Sequence, residues 1–277
     1  MRHRSLLAYA NYRYLKVAAA VSAAAILAYA LERAPAGRYG GTWLGYTLGT
    51  IGALLIAWLA WFGVRKRRYR GTAGMLQGWL SAHVYLGATL IVIATLHAAF
   101  QVGWNVHTLA YALMLAVIVS GFYGVWAYVR YPAQITDALG EDTQESLLLK
   151  IADIDRQARA LALSLPDAAN RLVMAAAQGT RIGGSWRLQL AGRDRACPTT
   201  AAVAGLAAIG KTLTGTAARV NQQLFALMAR KEELVARARR AVALKARLDL
   251  WLYIHVPLSV ALLGALAAHI VSVFFYW

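Results

Sequence analysis

Five long apolar stretches constrain what this chain can fold into more than any other feature. They lie at about 17–31, 43–64, 79–101, 108–129 and 250–275. A helix needs about 20 consecutive apolar residues to cross the ~30 Å hydrocarbon core of a bilayer, and these stretches reach or approach that length. Hydrophobic residues make up 60% of the chain, above the ~45–50% that is usual in soluble domains. The sequence therefore predicts an all-α integral membrane protein, a bundle of five transmembrane helices.

The net charge of +17 is distributed around these stretches. A soluble protein with this charge would suggest nucleic-acid binding. Here the basic residues cluster beside particular ends of the apolar stretches, so no nucleic-acid partner is predicted. The positive-inside rule predicts that the N-terminus, the 65–78 loop and the 131–249 region are cytoplasmic and that the C-terminus lies outside. We therefore expect a multi-pass protein of the inner (plasma) membrane, in contact with lipid.

A polar region separates the fourth stretch from the fifth. The predicted organisation is a four-helix transmembrane part at 1–130, a mostly helical cytoplasmic insert at 131–249, and a fifth transmembrane helix at 250–277 that completes the bundle. Pro132 is predicted to end the fourth helix. Within the insert we predict helices at 143–163 and 167–177 and one short strand at 186–190. From about residue 216, helical spacing continues into the fifth span without glycine or proline up to residue 256.

Two of the apolar stretches carry histidines at one repeated spacing. His83 and His97 are fourteen residues apart in the third stretch, and His255 and His269 are fourteen residues apart in the fifth. At ~1.5 Å rise and ~100° per residue, the two imidazoles of a pair lie on nearly one helix face, roughly 21 Å apart. An imidazole inside a bilayer is costly and rare, which makes it a candidate functional group. The repeated spacing suggests two stacked haems, each held between two histidines.

The predicted topology specifies which histidines share an iron. The third and fifth spans both run from inside to outside, so His83 and His255 are the inner members and His97 and His269 the outer ones. Parallel helices with equal spacing bring like members to equal depth. The pairs His83/His255 and His97/His269 are therefore each predicted to bind one haem iron through neutral imidazole nitrogens.

Small and basic residues are candidates for the remainder of a haem site. Gly87 and Gly264 lie beside or between the histidines, where a porphyrin against a helix needs small side chains. Such glycines are also common in any membrane helix interface. On the outer side, His107 is interpreted as a structural residue or a propionate partner. The propionates of the inner haem need cations, and the candidates are Arg68, Arg70, Lys245 and Arg247.

A lone intramembrane histidine has a simpler explanation, because it can hydrogen-bond between helices or relay protons. Two matched pairs on helices predicted to be parallel favour iron ligation over that explanation. The single Cys197 rules out a CxxCH attachment site and a cysteine-ligated iron–sulfur cluster. Any haem is therefore expected to be bound non-covalently.

The two His-x13-His pairs, on the third and fifth spans, resemble the membrane domain of the ferric reductases and NADPH oxidases. In that family, such histidines bind two haems b that carry electrons from a cytoplasmic donor to an outer acceptor. The resemblance covers roughly residues 40–130 and 250–277 and assigns His83, His97, His255 and His269 as ligands. The cytochrome b of quinol–cytochrome c oxidoreductases has a similar paired spacing, so the motif alone does not choose between the two.

The chain departs from the family pattern in other features. The family commonly has six spans where five are found here, and neither a GxGxxG nor a Walker-type loop occurs. We therefore expect the electron-transfer subunit of a larger oxidoreductase complex, without its own nicotinamide or flavin domain. The 131–249 insert would be the docking platform for a cytoplasmic electron donor or partner subunit. An outer c-type cytochrome or metal centre would be the other redox partner.

Two alternatives remain open from the sequence. The first is a cytochrome b membrane anchor that reacts with quinol or quinone, for which the candidate polar contacts are Tyr85, Gln101, Asn105 and His107. The second is a non-redox structural or assembly subunit, or a haem-handling protein, whose long helix from about residue 216 scaffolds other chains.

Overall fold

The structure is a computed structural model, and it describes residues 6–33, 35, 37–68 and 73–275. Within these ranges the regular structure is helical, without strands. The helices are α1 (Arg13–Leu31), α2 (Trp43–Arg68), α3 (Ala73–His97), α4 (Val106–Leu139), α5 (Gln144–Ala162), α6 (Asp167–Gly179), α7 (Trp186–Ala191), α8 (Pro198–Gly210) and α9 (Gly215–Phe275), preceded by a short 3-10 turn at Leu6–Ala8.

Five helices in the described part of the chain are long and apolar enough to cross a membrane, namely α1, α2, α3, the apolar part of α4 and the apolar part of α9. The prediction of an all-α membrane protein with five transmembrane helices is confirmed. Large apolar side chains lie exposed along these helices, such as Leu27 (59%), Leu54 (66%) and Val260 (63%). Apolar surface of this extent is unusual on a soluble monomer, and here it is the surface that contacts lipid.

The chain divides into two compact units, one formed by residues up to Val129 and from Trp251 onward, the other by Arg130–Leu250. The first, called the membrane unit, is held by two apolar clusters. One cluster joins α1, α2 and α3 through Ala25, Leu48 and Ile93. The other joins α2, α3, α4 and α9 through Leu59, Leu90, Met114 and Leu262. The second cluster brings the helices that carry the four histidines into one bundle.

The second unit, called the insert unit, has its own apolar core. Alanines and other small residues of α5, α6 and α8 pack with the early part of α9, and Ala158, Val173, Leu206 and Leu224 have no exposed surface. A second cluster, which includes Leu147 and Leu234, joins α5 to α9. Helix α5 begins with a capping box, in which Thr143 and Ser146 exchange side-chain to backbone hydrogen bonds. The insert unit is therefore a packed helical domain.

The predicted strand at 186–190 is wrong, because these residues form helix α7. The Ser185 hydroxyl accepts a hydrogen bond from the Leu188 N–H at 3.5 Å, which caps the helix start. Gly192 ends the helix in the left-handed region with φ 66°, which glycine adopts at little cost. Alternation over five residues does not exclude one helical turn, and the flanking serine and glycine favour the helix. Helix α8 is an additional element, in a segment to which the sequence pattern assigned no helix or strand.

The prediction that Pro132 ends the fourth helix is also wrong, since α4 continues to Leu139. A proline inside a helix removes one hydrogen bond and costs about 3 kcal/mol. Buried residues on both sides offset this cost, because Ala127 has no exposed surface, Tyr131 is 4% exposed and Ala138 is 7% exposed. The Thr136 hydroxyl also donates to the Pro132 carbonyl at 3.1 Å. Helix α9 likewise continues through Pro257 from Gly215 to Phe275.

Candidate functional site

The histidines of the membrane unit form two clusters. In the first cluster, here called the His97–His269 cluster, the two ring centres are 6.0 Å apart. His107, at the start of α4, joins it with its ring centre 4.5 Å from that of His269. In the second, called the His83–His255 cluster, the two imidazoles are near enough to interact electrostatically. The structure thus brings together the same pairs that the sequence spacing grouped, and adds His107 to one of them.

His97 lies against glycines of α2. Its Nδ1 is 2.8 Å from the Gly45 carbonyl oxygen, and a carbonyl can only accept, so Nδ1 carries the hydrogen. In the neutral ring the Nε2 atom then keeps a free lone pair. A Cβ placed on Gly49 would lie 2.7 Å from His97 Cε1, so only glycine leaves room for the ring. Gly45 and Gly49 together fix the orientation and the tautomer of His97.

His255 is held by Ser120 of α4. The Ser120 Oγ donates its single hydrogen to the Val117 carbonyl at 2.8 Å, and it lies 2.7 Å from His255 Nδ1. Both bonds form together only when Nδ1–H of His255 donates to Oγ. The His255 Nε2 atom therefore also keeps a free lone pair. The Trp251 indole, 5.3 Å from the His255 ring, donates its N–H to the Ser120 carbonyl at 2.8 Å.

His269 and His107 share one hydrogen between their Nδ1 atoms, which are in direct contact. Two neutral imidazoles form this bond only when one donates and the other accepts. When His269 donates, its Nε2 atom keeps the lone pair, in the same state as His97 and His255. His107 is thus placed as a structural partner of His269, one of the two roles that the sequence suggested.

His83 differs from the other three histidines. Its Nδ1 atom is buried and has no hydrogen-bond partner. The ring is 5.1 Å from that of Phe62 and lies beside the Leu59 backbone. A buried polar atom without a partner costs about 1–3 kcal/mol and calls for an explanation, of which a missing ligand or ion is one.

For the other predicted site residues, the contacts give less specific information about a role in haem binding. Gly87 has Leu59 Cδ1 as the nearest contact of an added Cβ, at 4.0 Å, and Gly264 faces open space. In the insert unit, Lys245 is exposed, and the Arg247 guanidinium donates to the Leu190 carbonyl at 3.2 Å. The Arg68 side chain and Arg70 lie outside the described residues. The role of these four cations as propionate partners stays a prediction.

The polar residues considered for a quinone site are each engaged in a hydrogen bond within the protein. The Tyr85 hydroxyl donates to the Leu7 carbonyl at 3.0 Å. The Gln101 amide donates to the Arg38 carbonyl at 3.4 Å. The Asn105 side chain accepts from the Thr108 N–H at 2.9 Å, and His107 is bonded to His269. Each of these groups serves a local structural bond.

Sequence reasoning missed the residues that orient the histidines. Gly45 and Gly49 are four residues apart on a membrane helix, a spacing typical of close helix contact, and it could have indicated a neighbour there. Ser120 carries no such signal, because it is separated from His255 by 135 residues and a serine in a membrane helix commonly bonds its own backbone. Its role depends on the packing of α4 against α9.

The donor set fits a haem iron. Three of the four histidines have Nδ1 in a hydrogen bond, the arrangement that fixes a metal-ligating imidazole and raises its basicity, and the fourth has an unpartnered buried nitrogen. Among the described residues, no group of three or more His, Cys, Asp or Glu side chains is arranged to hold a metal ion. A haem iron needs only two protein ligands, because the porphyrin supplies the other four.

Comparison of this chain with models of protein families, with curated proteins and with solved structures finds no match. The histidine geometry and the sequence pattern are therefore the basis for assigning a function.

Proposed function

We propose that this protein transfers electrons across a membrane through two b haems, each bound between two histidines, as the membrane subunit of a larger redox complex. The His83–His255 cluster would hold one haem and the His97–His269 cluster the other. The working model is the membrane domain of the ferric reductases and NADPH oxidases, which this chain resembles. The activity proposed for this chain is electron transfer.

The observation that carries the proposal is the tautomeric state of the imidazoles, which the hydrogen bonds at Nδ1 determine. His97 and His255 have Nδ1–H engaged with a carbonyl and a hydroxyl, which leaves Nε2 of each ring with a lone pair that a metal can accept. The 6.0 Å between the His97 and His269 ring centres also suits a metal held by two nitrogens at about 2 Å each.

When bound, each haem supplies a one-electron Fe(III)/Fe(II) couple. The protein residues bind and orient it: the imidazoles present lone pairs, and Gly45, Gly49 and Ser120 hold two of the rings in place. An apolar cluster that includes Leu59, Leu90 and Leu262 joins the helices that carry the histidines. The four histidines lie on two helices long enough to cross the bilayer, so two haems on them would form an electron path along the membrane normal.

We propose the orientation that the positive-inside rule favours, with the N-terminus and residues 131–249 in the cytoplasm of a cell with a plasma (inner) membrane. The His83–His255 haem would then be nearer the cytoplasm and the His97–His269 haem nearer the outside. The insert unit, a packed domain of its own, would receive a cytoplasmic donor or partner subunit, and an outer c-type cytochrome or metal centre would be the other partner.

Haem content tests the binding step. We expect two non-covalent haems b per chain of detergent-purified protein, with b-type bands after dithionite reduction. The variants His97→Ala and His83→Ala should each retain about one haem per chain and lose different spectral components. His3→Ala, which changes a histidine before the first span, is the matched control and should retain two. Purified wild-type protein without haem would overturn the proposal.

Electron flow across vesicles tests the transfer step. Protein is reconstituted in liposomes that contain ferricyanide, and a membrane-impermeant reductant is added outside. We expect ferricyanide reduction with the wild type and the His3→Ala control, and a rate at the protein-free background with His83→Ala or His97→Ala. Equal rates for the wild type and these two variants would contradict a path through both clusters.

A further inference from the structure

Helix α4 carries no residue of the four-histidine pattern, yet it contacts both histidines of α9. Ser120 bonds His255, and His107 bonds His269. The two α4 residues are thirteen positions apart and the two α9 residues fourteen, so two antiparallel helices match them along the membrane. Contacts between α4 and α9 therefore occur at two positions along the helices. Each contact involves the Nδ1 atom of a histidine of α9.

From this geometry we infer that Ser120 and His107 are positioning residues, which set the tautomers of the two α9 haem ligands and tune the two haems separately. This inference rests on the proposed function. It assigns to α4 a role in the redox properties of the protein, in addition to its role in packing.

Two hydrogen bonds other than the one with His255 hold Ser120 in place. Its hydroxyl hydrogen is used by the Val117 carbonyl, and its own carbonyl is used by the Trp251 indole N–H. The hydroxyl oxygen can therefore only accept from His255. A hydroxyl is a weak acceptor, so the His255 ring keeps most of its neutral character.

His107 offers His269 a different acceptor. A neutral imidazole nitrogen is a stronger base than a serine hydroxyl, because it is protonated with a pKa near 6.5 in model peptides. When His269 Nδ1–H donates to it, more negative charge moves onto the His269 ring. A more basic ligand favours Fe(III) over Fe(II). His107 should therefore lower the midpoint potential of its haem more than Ser120 lowers that of the other haem.

The test is an optical redox titration of full-length purified protein with two haems per chain. We expect His107→Ala to raise the midpoint potential of one haem and Ser120→Ala to change the other. Loss of an outer-shell bond typically costs about 10- to 100-fold in metal affinity, and a tenfold difference between Fe(III) and Fe(II) would correspond to about 59 mV for a one-electron couple. His107→Gln and Ser120→Thr, which keep an acceptor, should restore values near those of the wild type.

Matched serines control for packing. Ser259 donates to the His255 carbonyl at 2.8 Å and Ser272 to the His269 carbonyl at 2.8 Å, so neither serine bonds to the imidazole rings. Ser259→Ala and Ser272→Ala should leave both potentials unchanged. If a variant loses a haem, the inference holds when only one haem is lost and the acceptor-keeping variant retains it.

The inference is overturned if either alanine variant shifts both haems equally, or if neither haem changes in a protein that still binds two. Wild-type protein without haem would instead overturn the proposed function, so the two failures are distinguishable.

Discussion

The two units differ in how their ionisable side chains are partnered. In the insert unit, Lys231 is 1% exposed, and its ammonium donates to Asp155 Oδ1 at 2.6 Å and to the Ala176 carbonyl at 2.9 Å. In the membrane unit, the ionisable groups of the candidate site are partly buried histidines, and none of the ion pairs among the described residues involves one. Lys231 has a counter-charge and a carbonyl acceptor, whereas the histidines have no ion-pair partner and the buried Nδ1 of His83 has no hydrogen-bond partner.

This difference separates a structural group from a candidate ligand. A charge buried in a core is tolerated when a counter-charge and hydrogen bonds complete its environment, and such a group has no capacity left for a ligand. A neutral imidazole with one oriented nitrogen and one free nitrogen has that capacity. The comparison predicts that substitutions at the ion pair act on stability, and substitutions at the histidines act on cofactor content.

The largest effect on stability is expected at the ion pair. Asp155→Asn keeps the shape of the side chain but leaves the Lys231 charge buried without a counter-charge, which should cost about 3–5 kcal/mol in the free energy of unfolding. The matched control is Asp153→Asn, which breaks the exposed pair with Arg156 and should cost less than about 1 kcal/mol. Resistance of the full-length protein to proteolysis measures both. Similar resistance of the two variants would contradict a structural role for the buried pair.

An intermediate effect is expected at the glycine that faces His97. In Gly49→Ala the new Cβ would lie 2.7 Å from His97 Cε1, so the ring must move, and overpacking of this kind costs about 1–3 kcal/mol. We expect a lower melting temperature and an altered spectrum of one haem. Gly52→Ala is the control, since its Cβ would meet Ile93 Cγ2 at an ordinary 3.6 Å. If Gly52→Ala perturbs the haem spectrum as much as Gly49→Ala, the close contact with Gly49 is not what orients the His97 ring.

A small effect on stability, with a large effect on haem, is expected at His83. His83→Leu replaces a ring whose Nδ1 is buried without a partner, and removal of such an atom by an apolar group is nearly neutral or stabilising. The haem-free protein should change by less than about 1 kcal/mol, while the haem content falls from two to one per chain. Thermal unfolding of haem-depleted samples and pyridine haemochrome assays measure the two quantities. A strongly destabilised haem-free variant would indicate that His83 is structural.

The sequence was sufficient for the features that repeat along the chain and insufficient for those that depend on packing. Long apolar stretches predicted the membrane helices, and the fourteen-residue spacing selected the histidines that the fold brings together. Proline and a short alternation misled the assignment at Pro132 and at 186–190, because burial around Tyr131 and the cap at Ser185 outweighed local preference. Ser120 could not have been assigned to His255, since that contact requires the packing of α4 against α9.

The smallest effect is expected at Cys197, a buried thiol of the insert unit. Burial raises the pKa of this thiol, but hydrogen bonds from the Thr200 and Thr199 backbone and from the Arg239 guanidinium lower it by more, so the pKa lies below its ordinary value. The thiolate reacts with alkylating reagents and the thiol does not, so the rate of alkylation should reach half its maximum at a lower pH than for an unstructured cysteine. Because the guanidinium favours the charged form, Arg239→Gln should raise that midpoint and slow alkylation a few fold at neutral pH.

The experiment compares Arg239→Gln with Arg240→Gln, which changes an exposed neighbour on the same helix. Rates with a small iodoacetamide reagent are measured across a pH series, and an unchanged proteolysis pattern verifies that each variant remains folded. We expect the Arg240→Gln midpoint to match the wild type and the Arg239→Gln midpoint to lie above it, with similar plateau rates at high pH. Equal midpoints in all three proteins would mean that the Arg239 charge does not reach the thiol. In that case Cys197 would lack the charged partner that Asp155 provides for Lys231.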